Sequence, residues 1–142
     1  MASPRSRVLG IDVGARRIGV AIADLETTVA VPLEVIDTRS TDAVARLSEL
    51  IEDNNVSTLV VGRPTMLSGD DGSAVAAARS FADAVAESSG VKVCEYDERM
   101  TTVLAERRLR DANVAPAKRK QMRDALAAQV ILQSYLDDGR WR

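Results

Sequence analysis

Hydrophobic positions recur with two different periods along the chain, and the change falls near residue 40. Before it, apolar runs are short and separated by turn residues. Val8-Leu9-Gly10-Ile11-Asp12-Val13 predicts a strand over 7–13, and Gly14-Ala15-Arg16-Arg17 predicts the turn after it. Ile18 to Ala23 predicts the returning strand, Asp24-Leu25-Glu26-Thr27 a second turn, and Val29 to Ile36 a third strand. Pro32 lacks an amide hydrogen, which places it at a bulge or on a sheet edge. Short connections make these three strands an antiparallel meander.

Beyond Ser40 the period lengthens to that of a helix. Ser40 or Thr41 is positioned as a cap, and Val44, Leu47, Leu50 and Ile51 share one face of a helix ending near Asn54-Asn55. Thr58-Leu59-Val60-Val61-Gly62 is continuously apolar, as in a strand covered on both faces. Met66 to Gly72 reads as a loop, and 73–88 as an alanine-rich helix with Val75, Ala78, Phe81, Ala82 and Val85 inward. Val91 to Tyr96 predicts a fifth strand. A helix capped by Thr101 or Thr102 runs to about Asn113, and a last one over 117–138 carries Leu126, Val130, Ile131, Leu132 and Leu136 on its apolar side.

Helix-bearing crossovers imply parallel pairing. The expected fold class is therefore α/β: a five-stranded mixed sheet, antiparallel among strands 1–3 and parallel through 1-4-5, with helices on both faces. At 142 residues the chain is expected to form a single domain over 1–142, with 1–6 flexible.

Composition narrows the chemistry. The chain has no histidine and one cysteine, Cys94. Ser-His-Asp and Cys-His catalysis, and the usual zinc sites, are thereby excluded. Hydrolysis would have to use carboxylates, a lysine or a metal-activated water. Lone Cys94 reads as a small buried hydrophobe and fits a reducing, cytoplasmic setting. The first seven residues lack the apolar core of a signal peptide, and no apolar run could span a bilayer. The net charge is only −2, yet residues 105–123 hold Arg107, Arg108, Arg110, Lys118, Arg119, Lys120 and Arg123 against Glu106 and Asp111. That face suits a phosphate backbone, or is an ordinary solvated helix surface.

Three carboxylates are spaced to converge. Asp12 sits late in strand one, Glu98 just past strand five, and Asp124 just ahead of the apolar part of the last helix. In open α/β sheets ligands gather outside the carboxyl ends of the strands. A carboxylate inside a buried strand needs a partner, and three together would seat Mg²⁺ or Mn²⁺. Two such ions about 4 Å apart stabilise the attacking and leaving oxygens of phosphodiester cleavage. Each acid alone has a plainer reading. Asp12 beside glycine can be turn chemistry, Glu98 can match a helix dipole, and Asp124 can pair with Lys120 four residues earlier.

Taken in order, Leu9-Gly10-Ile11-Asp12-Val13-Gly14, Arg17-Ile18-Gly19-Val20-Ala21, Val60-Val61-Gly62-Arg63-Pro64, Asp97-Glu98-Arg99-Met100-Thr101-Thr102, Asp124-Ala125-Leu126-Ala127-Ala128 and Ile131-Leu132-Gln133-Ser134-Tyr135-Leu136 resemble the YqgF family of RNase H-like proteins, known as pre-16S rRNA nucleases and as Holliday junction resolvases. The resemblance spans residues 7–138 and implies an RNase H-like fold and a cytoplasmic, Mg²⁺- or Mn²⁺-dependent endonuclease. It also implies work on the 5′ end of pre-16S rRNA in ribosome biogenesis. Its acidic positions fall on Asp12, Glu98 and Asp124, as both catalytic residues and metal ligands. Arg63 and Met100 stand where the family usually has leucine, and Arg123 where an apolar residue usually precedes the aspartate.

On this reading Arg16, Arg17, Arg99, Arg107, Arg108, Lys118, Arg119 and Lys120 hold nucleic-acid phosphates. The expected partners are pre-rRNA or branched DNA and no membrane, with the protein a monomer or a homodimer. Resolution of a four-way DNA junction uses the same chemistry and favours a dimer. A non-catalytic RNA-binding module, or a nucleotide-binding one built on the Asp12-Val13-Gly14 hairpin, is the alternative from another class.

Overall fold

The computed structural model describes residues 7–63, 72–97, 116–139 and 141, with the backbone alone for 63, 73, 74 and 116–122. Five strands, β1 (Arg7–Val13), β2 (Arg17–Asp24), β3 (Ala30–Asp37), β4 (Val56–Arg63) and β5 (Lys92–Asp97), form one sheet in the order β3-β2-β1-β4-β5. The helices are α1 (Ala43–Asp53), α2 (Ser73–Ser89) and α3 (Pro116–Asp138). β1, β2 and β3 pair antiparallel, while β1, β4 and β5 run parallel. This is the mixed sheet expected from the crossovers. The readings of residues 1–6, of the loop at 66–71 and of a helix from 101 to 113 lie outside the described residues.

Side-chain size separates the two faces of the sheet. Leu9 and Ile11 of β1, Ile18 and Val20 of β2, and Leu59 and Val61 of β4 point toward α1 and α2, where they pack on Leu47, Leu50, Ile51, Ala78, Ala82 and Val85. The opposite face carries Val8, Ala21, Ala23, Ala30 and Val60, and it is covered by Ala128, Ile131, Leu132 and Leu136 of α3. Gly10 belongs to that second face, since a Cβ there would stand 2.7 Å from the Cβ of Leu132 and 3.2 Å from the carbonyl oxygen of Ala128. Small residues on the strands thus let α3 lie close against the sheet, and Ala125 and Ala128 on the helix are fully buried. The apolar stripe read for the last helix is buried throughout. On α2, Ala78, Ala82 and Val85 are buried, while Val75 and Phe81 are half-buried.

Pro32 satisfies both halves of its reading. β3 is an edge strand, and its register with β2 shifts between Val20↔Glu34 and Ala21↔Pro32. The cap of α1 differs from the reading by one or two residues. Asp42 is the cap, its Oδ1 accepting from the Ala45 amide at 3.2 Å. The amides of Ser40 and Thr41 instead donate to the Asp37 carbonyl, closing the turn that follows β3. Either hydroxyl would have suited a cap chemically, so the turn decides the position.

α3 also fixes the start of β3 through two side-chain amides. Gln133 accepts from the Ala30 amide at 2.9 Å and donates to the Thr28 carbonyl at 2.9 Å. Gln129 donates to the Ala30 carbonyl at 2.9 Å. Thr28 has a φ of 56°, a left-handed conformation that the Gln133 bond helps to hold. Gln133→Leu would leave the buried Ala30 amide without this partner, at a cost of about 1–3 kcal/mol in chemical unfolding. An unchanged midpoint would mean that water replaces the amide fully.

Candidate active site

The carboxyl ends of the parallel strands share one rim of the sheet. Ile11 pairs with Val61, Val61 with Glu95 and Arg63 with Asp97, so Val13, Arg63 and Asp97 end at a common level. The hairpin joining β1 to β2 turns over at this rim. Its amide at Gly14 donates to the Arg17 carbonyl at 3.0 Å, and a Cβ on Gly14 would stand 2.8 Å from that same oxygen. Glycine is therefore required for the turn to close. The Arg16 carbonyl accepts from both the amide (2.9 Å) and the hydroxyl (3.0 Å) of Thr38, which ties the tip to the far end of β3.

Asp12 follows Val8 and Gly10 on alternate positions of β1 and so shares their α3-covered face. It is half-buried, and its cross-strand partner in the register is Gly19. Gly19 in turn lies directly beneath α3, where an added Cβ would overlap the carbonyl of Asp124 and crowd the amide of Ala125. Asp12 and Asp124 thus border the same glycine, one across the strand pair and the other above it. No side chain larger than hydrogen would permit that approach.

Asp124 has a described ionic partner: its Oδ2 lies 3.2 Å from Nε of Arg17. The plainer reading of a pair with Lys120 involves a side chain outside those described. The Asp124 side chain is 30% exposed and that of Arg17 65%, so the carboxylate faces inward and the guanidinium outward. Arg16, Arg17 and Arg123 are exposed at this end. Glu98, Arg99, Arg107 and Arg108 lie outside the described residues, as do the side chains of Lys118, Arg119 and Lys120 on the first turns of α3.

Among the described residues no group of three acids, cysteines or histidines is arranged to hold a metal. Two of the three expected ligands fit one nonetheless. Both are hard oxygen donors, Asp12 in register with Gly19 and Asp124 on the helix whose backbone packs over it.

Two cavities lie elsewhere. One is water-sized, about 30 Å³, between α2 and β4–β5. The other, about 440 Å³, opens at the amino ends of the parallel strands, between Val8, Thr58, Lys92, Tyr135 and Trp141. Half-buried Cys94 lines that cleft rather than the core, and its Sγ lies 4.0 Å from the Tyr135 hydroxyl. Burial first, and then Cys94, pushes the Tyr135 hydroxyl up to about 12. Trp141, close to the end of the chain, donates from Nε1 to the Leu136 carbonyl at 2.9 Å and packs on the α3 core.

A sheet of order β3-β2-β1-β4-β5, in which β2 alone runs antiparallel to the other strands and helices cover both faces, is the RNase H-like architecture. Similar solved structures include RuvC of Thermus thermophilus in complex with a Holliday junction substrate. Its TM-score is 0.63 at 20% identity, over 96% of this chain and 96% of that one. The Fowlpox virus resolvase, solved with Holliday junction DNA, gives 0.56 at 11% identity over 94% and 99%.

The chain itself belongs to the RuvX family, described as Holliday junction resolvase, whose profile matches residues 6–138. A relative from Chloroflexus aggregans is 44% identical over 134 residues, covering 94% of each chain. One from Roseiflexus sp. is 41% identical over 142 residues, covering 99% of this chain and 100% of its own. Both carry the name "Putative pre-16S rRNA nuclease". Family and fold together support a nuclease.

Proposed function

We propose that the protein is a divalent-metal-dependent endonuclease that cleaves structured RNA, acting in the cytoplasm on the 5′ end of pre-16S rRNA. What supports this reading is the placement of Asp12 in register with Gly19 and of the Asp124 backbone over that same glycine, at the carboxyl rim and beside an arginine-bearing hairpin. Asp12, Asp124 and Glu98, which follows Asp97 directly in the chain, are the proposed ligands of Mg²⁺ or Mn²⁺. Such ions, when bound, lower the pKa of water and neutralise charge building on the phosphate.

The chain's own residues supply binding and orientation. Arg16 and Arg17 are solvent-facing at the hairpin tip, where their charges can take phosphate oxygens. Arg99, Arg107, Arg108, Lys118, Arg119 and Lys120 are proposed to extend that track, a sequence-based assignment. The hairpin tip is tied down by Thr38, so a phosphate held there stands at a fixed height above the β1 rim.

Resolution of branched DNA is the second reading, favoured by the family description and by the likeness to RuvC. One assay separates them: the protein with a 5′-extended 16S precursor and with a synthetic four-way DNA junction, each in Mn²⁺ and in chelator. The expected result is cleavage of the precursor near its mature 5′ end, in Mn²⁺ only. Symmetric nicking of the junction with an intact precursor would give the protein to the second reading. Cleavage that survives chelation would remove the metal from both.

A further inference from the structure

The Arg17–Asp124 pair sets two proposed roles against each other. Oδ2 of Asp124 cannot lie 3.2 Å from a guanidinium nitrogen and also ligate a divalent cation without the two positive charges repelling at close range. With its Nε on the carboxylate, the Arg17 guanidinium can offer a phosphate only its outer Nη edge, and its full set of donors only once that contact is given up. The surroundings decide which group moves. Asp124 rides on α3, whose backbone is pressed onto Gly19. The backbone of the hairpin is held by Thr38 and by the Gly14–Arg17 bond. Of the two side chains, Arg17 is the longer and the more exposed, 65% against 30%, and has the more room to swing.

We propose that Arg17 is a positioning residue exchanged between Asp124 and a nucleic-acid phosphate, so that substrate binding uncovers a metal ligand. The inference rests on Asp124 being a ligand, as proposed above. Without nucleic acid the guanidinium shields Asp124 and weakens its hold on a cation. A phosphate arriving at the rim draws Arg17 away and leaves the carboxylate open toward the site. Because coupling between two ligands is reciprocal, the metal must tighten nucleic-acid binding by the same factor. Ion pairs this exposed are weak, so the exchange is easy and the factor is modest, about two- to fivefold.

The test is Mn²⁺ affinity, read by the electron paramagnetic resonance of free Mn²⁺, with and without a phosphorothioate-linked RNA hairpin. For the unaltered protein the hairpin should tighten Mn²⁺ binding about two- to fivefold. Arg17→Gln should bind Mn²⁺ tighter by that factor with no RNA present, and the hairpin should then add nothing. Arg17→Lys retains the charge and should restore part of the difference, and thermal melting checks that both variants fold. Mn²⁺ binding by Arg17→Gln that is unchanged or weaker without RNA would overturn the exchange while leaving the metal site standing. Absence of Mn²⁺ binding in every form, or binding unaffected by Asp12→Asn, would overturn the site and the exchange together.

Discussion

Gly19→Ala is expected to lower stability by about 3 kcal/mol or more, at the upper end of what overpacking costs. In thermal melting that corresponds to a fall of about 10 °C for a chain of this size. The reason is the nature of the obstacle. At Gly10 an added methyl meets the Cβ of a leucine, but at Gly19 it meets the backbone of Asp124 and Ala125. Neither obstacle yields to a rotamer change, since a Cβ moves only with its backbone, but the overlap at Gly19 is the deeper, and α3 must move as a body to relieve it. Moving α3 opens its packing on Val8, Ala21, Ala23 and Val60 and lifts Asp124 away from Asp12. The variant should therefore lose activity even at temperatures where it is fully folded. A melting temperature within two degrees or so of the unaltered protein would show that α3 stands farther from β2 than described.

Asp12→Asn should reduce metal-dependent cleavage by at least about 10³-fold, the kinetic equivalent of about 4 kcal/mol of charge stabilisation lost with a ligand. The substitution keeps the shape of the side chain and removes its charge. Asp12 is half-buried at the open end of β1, so the fold should survive, and circular dichroism and melting temperature should match the unaltered protein. That combination distinguishes a chemical role from a structural one. Cleavage within tenfold of normal would take Asp12 out of the site.

The strands and helices were legible because each local period reports which face is covered. The first strand was read with its observed bounds, and Pro32 announced both the edge and the bulge. Asp12 stood out as a carboxylate interrupting an apolar run and Asp124 as one just ahead of the apolar part of the last helix; Asp12 lies in register with Gly19, and the backbone of Asp124 lies over that glycine. What escaped was contact between distant segments. Gly19 looked like an ordinary strand glycine, and only the helix lying on it explains why nothing larger fits. Arg17 was read for phosphate alone, because a surface arginine carries no sign of its partner far along the chain. Gln133 sat within a quoted motif as one polar residue on a buried helix. A buried glutamine flanked by Leu132 and Ser134 was the available signal that some backbone needed its amide.

The long helix that supplies Asp124 is also the last described helix to be synthesised. A nascent chain that has emerged only as far as β5 possesses the hairpin and Asp12, yet one whole side of its sheet is bare. Among the described residues, α3 is the element that covers its Gly10, Gly19, Ala21 and Ala23 surface. Burial of that side and delivery of the final carboxylate are a single event. On the proposed reading, a chain still lacking this helix also lacks one of its metal ligands.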